Sequence, residues 1–128
     1  MRIPALGACL LVAATTASLA ACGSDDDGDA GTPVTSGSDG RLVVVAEDIA
    51  FGADAYEVTG GEVRFEYRND GSIVHTLLIE GVDGFKLEVT GHGDVDEGAV
   101  DLPAGDYTVY CDVAGHRQAG MEATLAVS

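Results

Sequence analysis

The sequence predicts an all-β domain of about seven or eight strands, two packed antiparallel sheets joined by Greek-key links, over residues 41–128. Three observations carry this. Beyond Gly40, short apolar runs are separated by Gly, Asp and Pro, the punctuation of strands and turns rather than of helices. From Glu62 to Arg68, the apolar Val63, Phe65 and Tyr67 alternate with Glu62, Arg64, Glu66 and Arg68, which makes one buried and one wet face. Several such runs in one small domain favour two stacked sheets over a single open one.

In chain order, residues 1–21 form an export segment: Met-Arg, an apolar stretch rich in Ala and Leu, then Leu19-Ala20-Ala21-Cys22. This end resembles the lipobox of bacterial lipoproteins, in which the cysteine receives a diacylglyceryl group; the alternative is an ordinary cleaved signal peptide. The implied place is outside the cell's interior, either lipid-anchored to the outer face of the bacterial cytoplasmic membrane through Cys22 or periplasmic. Residues 23–40, rich in Gly, Asp, Ser and Thr, have almost nothing to bury and read as a flexible acidic tether. Its span as a coil is about 25 Å, enough to hold a domain off a lipid surface.

The expected strands are Arg41 to Glu47, Tyr56 to Thr59, Glu62 to Arg68, His75 to Glu80, Lys86 to Thr90, Asp106 to Asp112 and Met121 to Val127. Turns are expected at Gly60-Gly61, Asn69-Asp70-Gly71 and Pro103-Ala104-Gly105, where the residue types suit tight reversals.

Composition narrows the function. With 22 acidic residues against 6 basic ones and a formal net charge of −16, the chain is no partner for nucleic acid, itself a polyanion. The acidity serves solubility first, and the steering of a basic partner second. Of the three cysteines, Cys9 and Cys22 belong to the export segment, so Cys111 is a lone thiol in an exported domain. An exposed thiol there would oxidise or pair with another chain. Cys111 therefore needs a reason to be present.

Alternation supplies one. His75 shares a strand face with Leu77 and Ile79, Cys111 with Val109 and Tyr107, and Met121 with Ala123, Leu125 and Val127. All three sit at strand ends facing the core. Alone, each is an ordinary core residue, but together they read Cys111-x4-His116-x4-Met121 with His75 upstream. Fully extended, Cys111 and His116 would lie about 17 Å apart, so the loop must fold back to bring both onto one ion. Gly115 and Gly120, directly before His116 and Met121, supply the positive φ that such a loop needs. One thiolate and two imidazoles with a weak thioether on the axis form the ligand set of a blue-copper site.

These residues, Tyr110 to Met121 (YCDVAGHRQAGM) preceded by Asn69 to Leu77 (NDGSIVHTL), resemble the plastocyanin, azurin, halocyanin and auracyanin family of cupredoxins. The resemblance implies an eight-stranded sandwich with one copper held by His75, Cys111, His116 and, weakly, Met121. It implies further that His116 lies near the surface in an apolar patch with Ala114 and Ala119, where partners dock, and that Tyr110 marks a second electron route. Arg117 puts a positive charge at the rim. Many relatives tie the two ligand loops together through an Asn after the first His and a Ser or Thr after the Cys. Here Thr76 and Asp112 stand in those places, and a hydrogen bond between them is the expected substitute.

The function expected is transfer of single electrons between transient protein partners by a monomeric type 1 copper protein at a membrane surface. The alternative is copper storage or delivery through the same pocket. An enzyme with Cys111 as nucleophile leaves Met121 without a role, and no oxyanion-hole motif accompanies it. His92, between Gly91 and Gly93, reads as a solvated turn residue outside the site.

Overall fold

The computed structural model describes residues 32–128; the export segment and Cys22 lie outside the described residues. Ten strands form: β1 (Val34–Thr35), β2 (Arg41–Glu47), β3 (Ala50–Phe51), β4 (Ala55–Val58), β5 (Gly61–Asn69), β6 (His75–Ile79), β7 (Leu87–Val89), β8 (Val95–Leu102), β9 (Gly105–Tyr110) and β10 (Glu122–Val127). They make a six-stranded sheet ordered β1-β4-β10-β9-β6-β7 and a four-stranded sheet ordered β3-β2-β5-β8. No helix forms among the described residues, and none is long and apolar enough to cross a membrane.

The alternation read from the sequence builds the core. Leu42, Val44 and Ala46 of β2, Val63, Phe65 and Tyr67 of β5, and Ala123, Leu125 and Val127 of β10 all turn inward and are buried. In the core Phe65 meets Phe85 at a centroid separation of 5.1 Å, and Phe51 and Tyr67 of the four-stranded sheet meet edge-on at 6.3 Å, arrangements that aromatic quadrupoles favour.

The architecture departs from expectation in pairing and in strand number. The sheets are mixed, because β2 runs parallel to β5, and β4 runs parallel to both β1 and β10. The chain changes sheets from β3 to β4 and back to β5, and these crossovers leave parallel pairs beside the antiparallel hairpins β2–β3, β6–β7 and β9–β10. Three strands escaped the sequence. β3 and β1 have two residues each, and β8 (VDEGAVDL) buries only Leu102 fully, so an edge strand of this kind has no apolar face to recognise. β1 lies within the tract read as tether. Val34 and Thr35 pair with Tyr56 and Glu57 through the backbone while their side chains stay exposed.

One seam between the sheets is closed by side chains. The N–H groups of Glu88 on β7 and of Thr90 just after it point away from β6 and donate to Asp96 Oδ2 and Asp94 Oδ2, both at 2.9 Å. Carboxylates at the start of β8 thus occupy the place of a neighbouring strand.

The two-residue turn between β2 and β3 carries a strained residue. Ile49 has φ of 60°, a left-handed conformation that costs a β-branched residue more than most. Its side chain is exposed and holds nothing in the core. Replacing Ile49 by Asn, which tolerates this conformation, should stabilise the protein by about 1 kcal/mol and raise the unfolding midpoint by about 5 °C in a thermal melt.

Candidate metal centre

Strand direction brings the candidate ligands together. β9 runs antiparallel to both β6 and β10, so the starts of β6 and β10 and the end of β9 fall at one end of the six-stranded sheet. His75 opens β6, Cys111 follows β9, and Met121 precedes β10. The fourth residue, His116, lies in the loop between β9 and β10.

The donor atoms of His75, Cys111 and His116 all lie within 4.8 Å of one another. Cys111 Sγ is 3.6 Å from His116 Nδ1, and the two imidazole rings stand 5.1 Å apart at 52°. His75, Cys111 and Met121 are 0% exposed, whereas His116 is 9% exposed and alone reaches toward the surface. Burial, and next the neighbouring His116, hold the His75 imidazole below its ordinary value, so it is neutral near pH 7.

Both ring nitrogens of His75 are buried and have no hydrogen-bond partner among the described residues. A histidine that merely filled the core would satisfy at least one of them. Beside a buried sulfur and a second imidazole, these free donors fit one soft or borderline metal ion, and the His2Cys set with a buried thioether nearby fits copper best.

The loop is closed by its own backbone. His116 N–H donates to the Val113 carbonyl, Ala119 and Met121 N–H to the His116 carbonyl, and Cys111 N–H to the Met121 carbonyl at 3.2 Å. Gly115 and Gly120 take φ of 85° and 106°, the positive values anticipated for this fold-back. The loop accordingly brings Cys111, His116 and Met121 to one place within a few residues.

A second layer braces the donors. Thr76 N–H points at Cys111 Sγ at 3.4 Å, which fixes where the sulfur stands. Thr76 Oγ1 accepts from the Asp112 N–H at 2.9 Å and donates to Asp112 Oδ1 at 2.7 Å. With its one hydroxyl proton so committed, the 3.5 Å approach of Thr76 Oγ1 to the sulfur is packing. The expected tie between Thr76 and Asp112 is therefore present. Lys86 extends it, donating to Asp112 Oδ2 at 3.0 Å. The Thr76 hydroxyl first, with Lys86 adding to it, holds the Asp112 carboxyl below the usual range.

Several supporting residues were not legible beforehand. Tyr67 reaches across the core to donate its hydroxyl proton to the Thr76 carbonyl at 3.1 Å. Asn69, read only as a turn residue, is fully buried. Its Nδ2 donates to the Ile73 carbonyl at 2.8 Å and its Oδ1 accepts from Gly71 N–H at 2.9 Å, which shapes the approach to His75. Gly71 itself packs on the turn after β2, where a Cβ would stand 3.0 Å from the Asp48 backbone nitrogen and 2.6 Å from its Oδ1. Arg117 is no free rim charge, since it is bound by Glu80 and Glu122. His92 stays outside the site, exposed, with Nδ1 at 3.0 Å from the Asp70 carbonyl oxygen.

By sequence, no protein-family model and no curated protein matches the chain. By structure, it is similar to dithionite-reduced auracyanin from the photosynthetic bacterium Roseiflexus castenholzii, with a TM-score of 0.62 and 15% identity over 72% of this chain and 99% of that one. Auracyanin B gives a TM-score of 0.56 at 20% identity, covering 77% of this chain and 91% of its own. An azurin (Az-iso2) from the obligate methylotroph Methylomonas sp. strain J gives 0.58 at 13% identity, covering 69% and 97%. The chain thus has the cupredoxin fold that auracyanin and azurin share, and the His75, Cys111 and His116 cluster at one end of it fits a blue-copper site.

Proposed function

We propose that the protein carries single electrons through one copper ion, which His75, Cys111 and His116 would hold, with Met121 as a weak fourth ligand. The observation that carries this is His75, whose two buried ring nitrogens lack any partner among the described residues while lying beside a buried thiol and a second imidazole. When bound, copper supplies a one-electron couple between Cu(I) and Cu(II). The chain's own residues fix the donors in advance: the Thr76 N–H steadies the sulfur, and the braces at Asp112 and Asn69 hold the two loops. Burial keeps water from His75 and Cys111, so reorganisation on gaining or losing an electron is small. His116, the donor nearest the surface, is the route out to a transient protein partner. Such redox encounters use small interfaces. A bond-making activity has no part in this reading.

The location belongs to the same proposal. Diacylglyceryl attachment at Cys22 would hold the chain at the outer membrane face durably, since two acyl chains anchor where one is marginal.

The test is the visible absorption and electron paramagnetic resonance of the chain after adding Cu(II), beside a Cys111→Ser variant. The expected result is an intense thiolate-to-copper band with narrow copper hyperfine splitting, both lost in the variant. An ordinary weak Cu(II) spectrum indifferent to Cys111 would remove the reading. A reversible voltammetric couple separates an electron carrier from a storage or delivery protein, which would instead pass its copper readily to a chelator.

A further inference from the structure

We propose that Arg117 is a positioning residue that holds the loop of residues 112–121 closed before any metal arrives, and thereby fixes where His116 stands. Its guanidinium joins three strands' ends. Nη2 donates to Glu80 Oε2 at 2.8 Å just after β6, and Nε donates to Glu122 Oε2 at 3.0 Å at the start of β10. Cζ lies 4.3 Å from the centroid of the Tyr110 ring at the end of β9. The group is used in its plane by two carboxylates and on its face by an aromatic ring, a combination open to a planar guanidinium and closed to an ammonium.

Position in the loop gives these contacts their consequence. Every backbone hydrogen bond of residues 113–120 stays within residues 111–122. Among the described hydrogen bonds, the one from Arg117 Nη2 to Glu80 alone ties residues 113–120 to the chain outside residues 111–122, while its bond to Glu122 adds a side-chain tie at the far shoulder. Asp112 anchors the near end of the loop through Thr76 and Lys86. Without Arg117 the segment bearing His116 would keep its local turns and the packing of Val113 and His116, with no hydrogen bond to the chain beyond its two shoulders. Each exposed ion pair contributes little by itself, but here two of them and the ring share one side chain adjacent to His116. The inference rests on the proposed function only in taking His116 as a ligand.

The experiment is amide hydrogen exchange on the metal-free protein, comparing wild type with Arg117→Ala and Arg117→Lys. Exchange at His116, Ala119, Gly120 and Met121 should quicken about 5- to 10-fold in Arg117→Ala, with the β5 amides unchanged. Arg117→Lys should recover only a minor part of the protection. Copper loss to a chelator should quicken by a similar factor in Arg117→Ala. Unchanged loop exchange would overturn the proposal, and so would equal acceleration in β5, which would mark general destabilisation. A wild type without the thiolate-to-copper band would sink the electron-carrier reading and leave the exchange result standing, so the two failures are told apart.

Discussion

Replacing His75 by Leu is expected to make the metal-free protein more stable, by about 2 kcal/mol, while abolishing the proposed copper site. The reason is the pair of buried ring nitrogens without partners. Each group taken from water without a replacement bond costs about 1–3 kcal/mol, and Leu occupies a similar volume with nothing to desolvate. His75 shares its face with Leu77, a fully buried apolar neighbour, so the substitution extends an existing core. Copper reverses the order. Metal that binds only the folded wild type adds about 4 kcal/mol when present at a thousand times its dissociation constant, and the variant has lost one of its donors. Urea unfolding in chelator and in excess copper reads both arms. A His75→Leu variant less stable than wild type in chelator would show that the imidazole is satisfied in the native protein, and would remove the chief reason for counting it as a ligand.

The second large effect is expected at Asn69. Asn69→Ala should cost about 2 kcal/mol and lower the thermal midpoint by about 10 °C, because the buried Gly71 N–H and the Ile73 carbonyl both lose their side-chain partner. The backbone bonds of Asn69, to Asp94 and Gly93, remain and keep β5 in register with the loop after β7. Asn69→Asp sharpens the test. It preserves an acceptor for Gly71 but presents an acceptor to the Ile73 carbonyl and places a charge in a buried site, so it should do no better than Ala. A melt that ranks Asn69→Asp with wild type would show that only the Gly71 bond matters.

How far the sequence could be read depended on the range of the interactions involved. β5 was plain because Val63, Phe65 and Tyr67 alternate strictly with charges, and one window contains the whole signal. The loop from Cys111 to Met121 was legible for the same reason: its three candidate ligands and both glycines fall within eleven consecutive residues, and their chemistry is unusual in combination. β8 was missed because an edge strand answers to solvent on much of its length. The parallel pairing of β2 with β5 was missed because pairing partners lie far apart in the chain. Asp112 was anticipated as a brace to Thr76, whereas Lys86 was not, and the tie of Arg117 to Glu80 spans 37 positions that no local pattern marks. For Lys86 and Arg117 the residue type was visible and its partner was not.

The carboxylates along β7 have a consequence for how this molecule meets copies of itself. An exposed sheet edge is a template for a foreign strand, and the outward N–H groups of Glu88 and Thr90 would be its first footholds. Asp96 and Asp94 already fill them, and their charge repels another acidic chain. The Thr90 N–H, and then its hydroxyl, hold the Asp94 carboxyl below its ordinary value. A carboxyl so depressed stabilises the folded state above its unfolded value and loses that contribution only as pH falls through the lowered one. At neutral pH these carboxylates therefore keep the edge closed to another copy of the chain, and in strong acid that protection would be lost.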